Sequence, residues 1–225
     1  MAATAGVTPY RRREGPPAWG GLQHSVGPVG EPRGVLNLEG GMFTAWKIGA
    51  AIRRDSDVAE VLHFDRIRTL FFLNASINTL PALIKKVKAA GKFGLVHLDL
   101  MEGIGRDQAG IHFLARLGVD GIITTKPELV RVGQKERLTT VQRLFILDSE
   151  ALKTSVRAAE SVKPDAVEIL PATVPAYVVT TLRDALRIPV LAGGLLITEA
   201  DLRETLQKGV DMISTSRKNL WGVVP

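Results

Sequence analysis

The sequence predicts an α/β fold, a single (β/α)8 barrel of the TIM type over residues 42–225, preceded by a disordered tail over residues 1–41. Eight short apolar runs rich in β-branched residues alternate with stretches of helical periodicity, which is the pattern of a parallel sheet covered by helices. A length of about 180 residues suits eight compact βα units. No Gly-x-Gly-x-x-Gly follows the first run, so the alternative, an open doubly wound sheet, lacks its usual signature.

The first 41 residues contain nine Gly and five Pro, so about a third of the positions disfavour regular structure. Such a segment buries too little apolar surface to offset the entropy lost on ordering, and we expect a disordered tail. Its run Arg11, Arg12 and Arg13 is either a solvated tail or an arm for nucleic acid. Met42 is a second candidate for the true start of the chain.

The eight predicted strands follow one another at fairly regular intervals. The runs at residues 121–124 and 188–191 are short and largely apolar, as expected for strands buried on both faces. The strands are expected near residues 47–53, 67–73, 93–100, 121–125, 139–147, 165–170, 188–192 and 211–215.

Helices are predicted between the strands because apolar residues recur there at the i, i+3, i+4, i+7 spacing of one buried stripe. Ser, Thr or Asp residues precede these stripes as caps, and glycines such as Gly91 and Gly209 follow them as stops. The clearest cases are Leu80, Leu83, Ile84 and Val87; Leu152, Val156 and Ala159 after a cap at Asp148 or Ser149; and Leu202 and Leu206 after a capping box of Thr198 and Asp201.

A faint repeat supports the alternation of helices and strands. The triplets at residues 118–120 and 209–211 both read Gly-Val-Asp, and residues 164–166 read Pro-Asp-Ala. Each triplet combines a helix stop with a tight turn and then a buried strand. This recurrence favours repeated βα units over two unrelated domains.

Composition excludes several classes of function. The chain has no Cys, which rules out a disulfide scaffold and thiolate metal sites, and its four His lack the spacing of a metal centre. There is neither a P-loop nor a Gly-x-Ser-x-Gly elbow, and no apolar run of about 18 residues. We therefore expect a cytoplasmic protein without metal, cofactor or membrane segment. The net charge of +6 favours a polyanionic partner such as nucleic acid, although solvated surface charge is the simpler explanation.

Two segments near the end of the chain predict a phosphate site. In a barrel, ligands bind at the C-terminal ends of the strands, and phosphates recur after strands seven and eight. Gly193 and Gly194 end the seventh strand, and Ser214, Thr215 and Ser216 end the eighth. Glycine lets the backbone approach an anion closely, and the hydroxyls add donors.

Polar residues on the middle strands predict the rest of the pocket. Alternation along the third strand places His97 and Asp99 on one face, and Lys126 follows the fourth strand as an anion partner or an amine nucleophile. A buried carboxylate requires a cation. Arg143 on the fifth strand and Glu168 on the sixth therefore suggest an ion pair, and Glu168 also suits ligand hydroxyls.

These segments, in this order and spacing, resemble the bacterial glycerol-3-phosphate-responsive antiterminators, regulators of glycerol uptake operons. The resemblance covers roughly residues 47–221. The matching segments are Val96–Leu100, Gly121–Lys126, Gln142–Asp148, Val167–Pro171, Ala192–Leu196, Ser214–Ser216 and Leu220–Trp221. Residues 1–41 have no counterpart in the family pattern.

The resemblance implies a regulator without catalytic residues, whose effector is glycerol 3-phosphate and whose partner is leader mRNA of genes for glycerol uptake and metabolism. The Gly-Gly and Ser-Thr-Ser segments would bind the phosphate, while Asp99 and Glu168 would face the glycerol hydroxyls. The candidate RNA-binding cations are Arg53, Arg54, Arg131, Lys135, Arg137, Arg217 and Lys218. Two alternatives stay open: a barrel enzyme acting on a small phosphorylated metabolite, and a scaffold that binds only proteins. Whether the chain forms a homo-oligomer also stays open.

Overall fold

The computed structural model describes residues 42–224, which form a closed barrel of eight parallel strands in chain order, β1 to β8. The predicted barrel is confirmed, while the predicted tail lies outside the described residues. The strands are β1 (Ile48–Ile52), β2 (Thr69–Phe72), β3 (Phe93–His97), β4 (Gly121–Thr124), β5 (Thr139–Phe145), β6 (Ala166–Leu170), β7 (Val190–Gly193) and β8 (Met212–Thr215).

Within residues 42–224, seven α-helices alternate with the strands, because each amphipathic stripe packs its apolar side against the sheet. The helices are α1 (Asp57–Val61), α2 (Leu80–Ala89), α3 (Gln108–Leu117), α4 (Pro127–Lys135), α5 (Ser149–Val162), α6 (Ala176–Leu186) and α7 (Glu199–Gln207). Short 3-10 helices cover Leu98–Leu100 and Lys218–Leu220. None of the helices between residues 42 and 224 is both long and apolar enough to cross a bilayer.

Side chains point alternately inward and outward along each strand, and the inward-pointing ones fill the barrel interior. Phe71, Leu95, Ile123 and Met212 are among the fully buried residues of one interior cluster, while the other strand faces pack against the helices. Residues 42–43 belong to the same cluster, and the Met42 carbonyl accepts a hydrogen bond from Thr69 Oγ1 at 3.1 Å.

The predicted caps are present. Asp148 accepts a hydrogen bond from the backbone of Ala151 at 2.8 Å at the start of α5, and Thr198 with Asp201 forms the capping box of α7. These side chains satisfy backbone N–H groups that have no partner within the helix. The helix boundaries at these points therefore follow directly from local sequence.

The repeated triplets have a shared structural role. Each supplies an Asp at the start of an even-numbered strand, and its carboxylate accepts a hydrogen bond from the backbone of the preceding strand. The three bonds are Gly94 N to Asp120 Oδ2 at 2.9 Å, Thr140 N to Asp165 Oδ2 at 2.7 Å, and Val190 N to Asp211 Oδ2 at 2.9 Å. These aspartates tie the strands together in pairs at the N-terminal end of the barrel.

One predicted strand is too long. The third strand was expected to reach residue 100, but β3 ends at His97 and Leu98–Leu100 turns as a 3-10 helix. His97 and Asp99 therefore do not share one face of a strand. The apolar–polar alternation that continues through the turn explains the error, because it mimics a strand.

Candidate functional site

A cavity of about 300 Å³ opens at the C-terminal ends of the strands, where barrels bind ligands. Positions on five strands, β1, β5, β6, β7 and β8, and the segments after β1, β2, β7 and β8 form its wall. The lining residues are Ala51, Arg53, Leu73, Arg143, Glu168, Leu170, residues 193–197 and residues 214–217.

The cavity brings together most of the residues singled out in the sequence. Those that line it are Gly193, Gly194, Ser214, Thr215, Ser216, Arg143 and Glu168. His97, Asp99 and Lys126 do not line it. The glycine and serine segments meet because β7 and β8 are paired in the sheet, with Gly193 directly opposite Ser214.

The Gly-Gly segment has backbone geometry that requires small residues. A Cβ on Gly193 would overlap Ser214 Oγ and lie 3.2 Å from Glu168 Oε1. Gly194 has a φ of +79°, in the left-handed region that glycine adopts readily. The segment thus lets the chain turn out of β7 close to the β8 strand end and leaves space for a ligand there.

Glu168 is fully buried, and both of its carboxylate oxygens are hydrogen bonded. Arg143 Nε donates to Oε2 at 2.7 Å, and Ser214 Oγ donates to Oε1 at 2.5 Å. The predicted ion pair is therefore present. Because the Ser214 hydroxyl is used in this bond, the exposed Ser216 is the better placed hydroxyl donor for an anion in the cavity.

Arg143 gives only its Nε to Glu168. Within residues 42–224 its terminal amino groups make no hydrogen bond, and the side chain lines the cavity. A guanidinium held on one side by a carboxylate presents its remaining donors in a fixed direction. Arg143 can therefore bind a ligand oxygen while it stays paired with Glu168.

Two further arginines line the cavity at its outer side. Arg53 follows β1 and Arg217 follows β8, and both are exposed. The sequence offered them only as candidate RNA-binding cations. Their common place could have been inferred from the predicted closure of the barrel, which pairs β1 with β8. With Arg143 they give the lining three cations against the single carboxylate of Glu168.

His97 is buried inside the barrel at 2% exposure. Neither ring nitrogen has a hydrogen-bond partner among the described residues. Burial is the main cause that lowers the pKa of His97 to about 4, and the positive charge of Arg143 lowers it further. The ring is therefore neutral at physiological pH and offers one donor and one acceptor.

Asp99 connects two loops instead of lining the cavity. Its carboxylate accepts hydrogen bonds from Thr124 Oγ1 at 2.8 Å and from Thr125 N and Oγ1 at 2.7 and 2.9 Å. Burial acts to raise the pKa of Asp99, but the hydrogen bonds from Thr125 and Thr124 outweigh it and hold the pKa below its ordinary value. Lys126, which follows Thr125 in the chain, is exposed.

The family model described as glycerol-3-phosphate responsive antiterminator matches residues 48–221. A curated relative from Escherichia coli K12, the uncharacterized protein YgcP, is 35% identical over 150 residues, which cover 66% of this chain and 78% of that protein.

Solved structures of two relatives share the fold. The glycerol uptake operon antiterminator regulatory protein of Listeria monocytogenes is 33% identical, with a TM-score of 0.74 over 80% of this chain and 96% of its own. A glycerol uptake operon antiterminator-related protein of Thermotoga maritima is 34% identical, with a TM-score of 0.71 over 79% of this chain and 99% of its own. Aldolase structures such as QR15, 14% identical with a TM-score of 0.58, share only the barrel. Since the family model spans most of the sequence, the chain belongs to the glycerol-3-phosphate responsive antiterminator family.

Proposed function

We propose that this protein is a cytoplasmic sensor of glycerol 3-phosphate that, when the ligand is bound, binds leader mRNA of glycerol uptake and metabolism genes and opposes transcription termination. The observation that carries the proposal is the cavity at the ends of β7 and β8, where the Gly-Gly turn, Ser216 and three arginines meet. Membership of the antiterminator family supports the regulatory role.

The outer part of the cavity suits the phosphate. Backbone N–H groups after the Gly-Gly turn and at the end of β8, together with the Ser216 hydroxyl, are donors of the kind that bind phosphates in barrels. Arg53 and Arg217, which follow β1 and β8, add positive charge to the lining. Two arginines that face one dianion form charge-assisted hydrogen bonds, which are stronger than neutral ones.

The inner part suits the glycerol. Arg143 and the edge of the Glu168 carboxylate provide a donor and an acceptor, and Leu73 and Leu170 provide apolar walls. This mixture of apolar wall and few polar groups is typical of small-molecule sites, and the volume is at the small end of their range, about 300 Å³. A three-carbon phosphate ester fits it better than a nucleotide.

The environment of the carboxylates favours a sensor over an enzyme. A general base must lie within reach of the substrate proton. Asp99 and Lys126 lie outside the cavity. Glu168, a carboxylate of the lining, is held on its two oxygens by Arg143 and Ser214, which suits a ligand-binding and structural role.

Calorimetric titration of the full chain tests the ligand. We expect glycerol 3-phosphate to bind at least about tenfold more tightly than either inorganic phosphate or glycerol, because only the ester fills both parts of the cavity. Equal affinity for inorganic phosphate would remove the proposed specificity.

Gel shifts with leader transcripts from glycerol uptake genes, with and without glycerol 3-phosphate, test the regulatory role. Ligand-dependent retardation supports the sensor, since a ligand shifts an equilibrium only through its different affinity for the two states. Turnover of phosphorylated metabolites without any RNA retardation would favour the barrel enzyme instead.

A further inference from the structure

We propose that RNA binds to the end of the barrel opposite the cavity, through a basic face formed by the turns that lead into the strands. The inference rests on the proposed function for the identity of the polyanion, and adds the surface that contacts it. The basic face is defined by six exposed cations: Lys47, Arg66, Arg137, Lys163 and Arg187 in these turns, and Arg116 in the last turn of α3.

The charges of the two ends of the barrel differ. The segments that enter the eight strands, from residue 42 onward, hold eight Lys and Arg (47, 66, 68, 92, 137, 163, 187 and 208) against five acids (65, 120, 136, 165 and 211). The loops and 3-10 helices that follow the strands hold six Lys and Arg (53, 54, 106, 126, 217 and 218) against five acids (55, 99, 102, 107 and 148). The N-terminal end therefore carries a net charge of +3 against +1 at the opposite end, and the more positive surface attracts a polyanion more strongly.

The acids on the basic face are largely engaged by the barrel itself. Asp120, Asp165 and Asp211 accept hydrogen bonds from backbone N–H groups of neighbouring strands. Asp120 also pairs with Lys88 on α2, and Asp211 pairs with Arg183 on α6. By contrast, the six cations of the basic face form no ion pair within residues 42–224, so their charge is available to a partner.

Three of these cations stand where glycine is expected. Arg137, Lys163 and Arg187 follow α4, α5 and α6 with φ of +58°, +49° and +54°. Gly118 and Gly209 fill equivalent turns with φ of +86° and +91°. A long side chain in the left-handed region costs backbone energy that glycine avoids. Three successive turns therefore carry a cation at a local cost to stability, which a binding role explains.

The opposite end of the barrel is a poorer surface for RNA. Besides its smaller net charge, it exposes aliphatic side chains in the loops after β5 and β7, with Leu147 83%, Leu195 70% and Ile197 56% exposed. Aliphatic groups neither neutralise phosphates nor stack strongly on bases. Ligand and RNA would thus occupy different ends of the barrel and not compete for the same cations.

The test uses a triple variant of the full chain, Arg137→Gly, Lys163→Gly and Arg187→Gly. Glycine suits the left-handed backbone at all three positions, so the fold is kept while three charges are removed. The matched control is Lys85→Gln, Lys153→Gln and Arg157→Gln, which removes three exposed charges from the middle of α2 and α5. Circular dichroism checks that both variants are folded.

Fluorescence anisotropy measures leader RNA binding with saturating glycerol 3-phosphate at several salt concentrations. We expect the glycine variant to lose about tenfold or more in RNA affinity and its salt slope to fall by about 2, as expected for three lost phosphate contacts. The control should stay within about twofold of wild type, since its charges lie away from the contact. Glycerol 3-phosphate affinity should be the same in all three proteins.

Two outcomes would overturn the assignment, and they are distinguishable. If the wild type binds leader RNA and the glycine variant binds it equally well, the basic face is not the RNA surface, while the proposed function stands. If the wild type binds glycerol 3-phosphate but no leader RNA at any salt concentration, the RNA-binding part of the proposed function and this surface fail together.

Discussion

Arg143 and Glu168 lie directly opposite each other on β5 and β6, and the Arg143 Nε donates to Glu168 Oε2 at 2.7 Å inside the barrel. Glu168 is fully buried and Arg143 is 8% exposed. Removal of one member of such a pair leaves the other charge uncompensated in a poorly solvated place, whereas removal of both charges leaves no such group.

The first prediction concerns this pair. Arg143→Met alone should lower the free energy of unfolding by about 3 kcal/mol, because it leaves the buried Glu168 carboxylate without a cation. Adding Glu168→Gln, which keeps an acceptor for Ser214, should recover part of that loss. Urea denaturation without ligand measures both effects. If the double variant is no more stable than Arg143→Met alone, the loss does not come from an uncompensated carboxylate and the structural role of the pair is refuted.

The second prediction concerns the two arginines at the outer side of the cavity. Arg53→Gln and Arg217→Gln should each weaken glycerol 3-phosphate binding by about tenfold, since each removes a charge-assisted bond to the phosphate. Arg54→Gln is the matched control, because this neighbour points to Asp57 at 3.2 Å and does not line the cavity.

Calorimetric titration of the three variants compares their affinities for glycerol 3-phosphate with that of the wild type. Glycerol alone, if its binding is measurable, should bind equally to all of them, because it has no phosphate. A loss for Arg54→Gln as large as for Arg53→Gln would mean that general surface charge, not a phosphate site, sets the affinity.

Much of the cavity follows from sequence because its parts depend on local signals and on strand order. Gly193 and Ser214 could be placed together once the barrel was predicted, since consecutive strands are neighbours. The Arg143–Glu168 pair followed from the same rule. The side chains reach the cavity because alternation fixes which strand positions face inward.

Other parts could not be predicted, for physical reasons. Closure of the barrel brings the loops after β1 and β8 together, but nothing in the sequence marks Arg53 and Arg217 as ligand contacts, because a cavity lining and open solvent impose the same polar composition on a loop. Asp99 was misplaced because Leu98 and Leu100 continue the alternation of β3 into a 3-10 turn. The donors that occupy its carboxylate come from another loop, and their geometry is not encoded locally.

The third prediction is a pH dependence of stability caused by His97. Its pKa is lowered from 6.5 to about 4 in the folded protein, so between these values the unfolded chain binds the proton more tightly. Stability should therefore fall as pH drops from about 6.5 to about 4, by about 3 kcal/mol in total.

Comparison with His97→Gln isolates this effect. Gln cannot titrate, so the pH dependence of its unfolding free energy should be flatter than that of the wild type over the same range. Chemical denaturation at several pH values provides the data. Identical slopes for the two proteins would show that His97 is not held neutral by its surroundings.

The fourth prediction separates two roles for Asp99. The sequence suggested contact with the glycerol hydroxyls, whereas the structure shows a carboxylate that holds Thr124 and Thr125 and lies outside the cavity. Asp99→Asn keeps one carbonyl oxygen as acceptor but replaces the other with an amide donor that faces donors. A role in connecting the two loops predicts a loss of about 1–2 kcal/mol in stability, with ligand affinity changed less than about threefold.

The pH dependence gives a second readout of the same variant. Because the pKa of Asp99 is lowered in the folded protein, its contribution to stability is present above its ordinary value of 3.8 and is lost as pH falls further. Asp99→Asn should abolish that acid-dependent part, as unfolding measurements below pH 4 can show. Unchanged stability combined with a tenfold loss of glycerol 3-phosphate affinity would instead assign Asp99 to the ligand, since only a direct contact would then be missing.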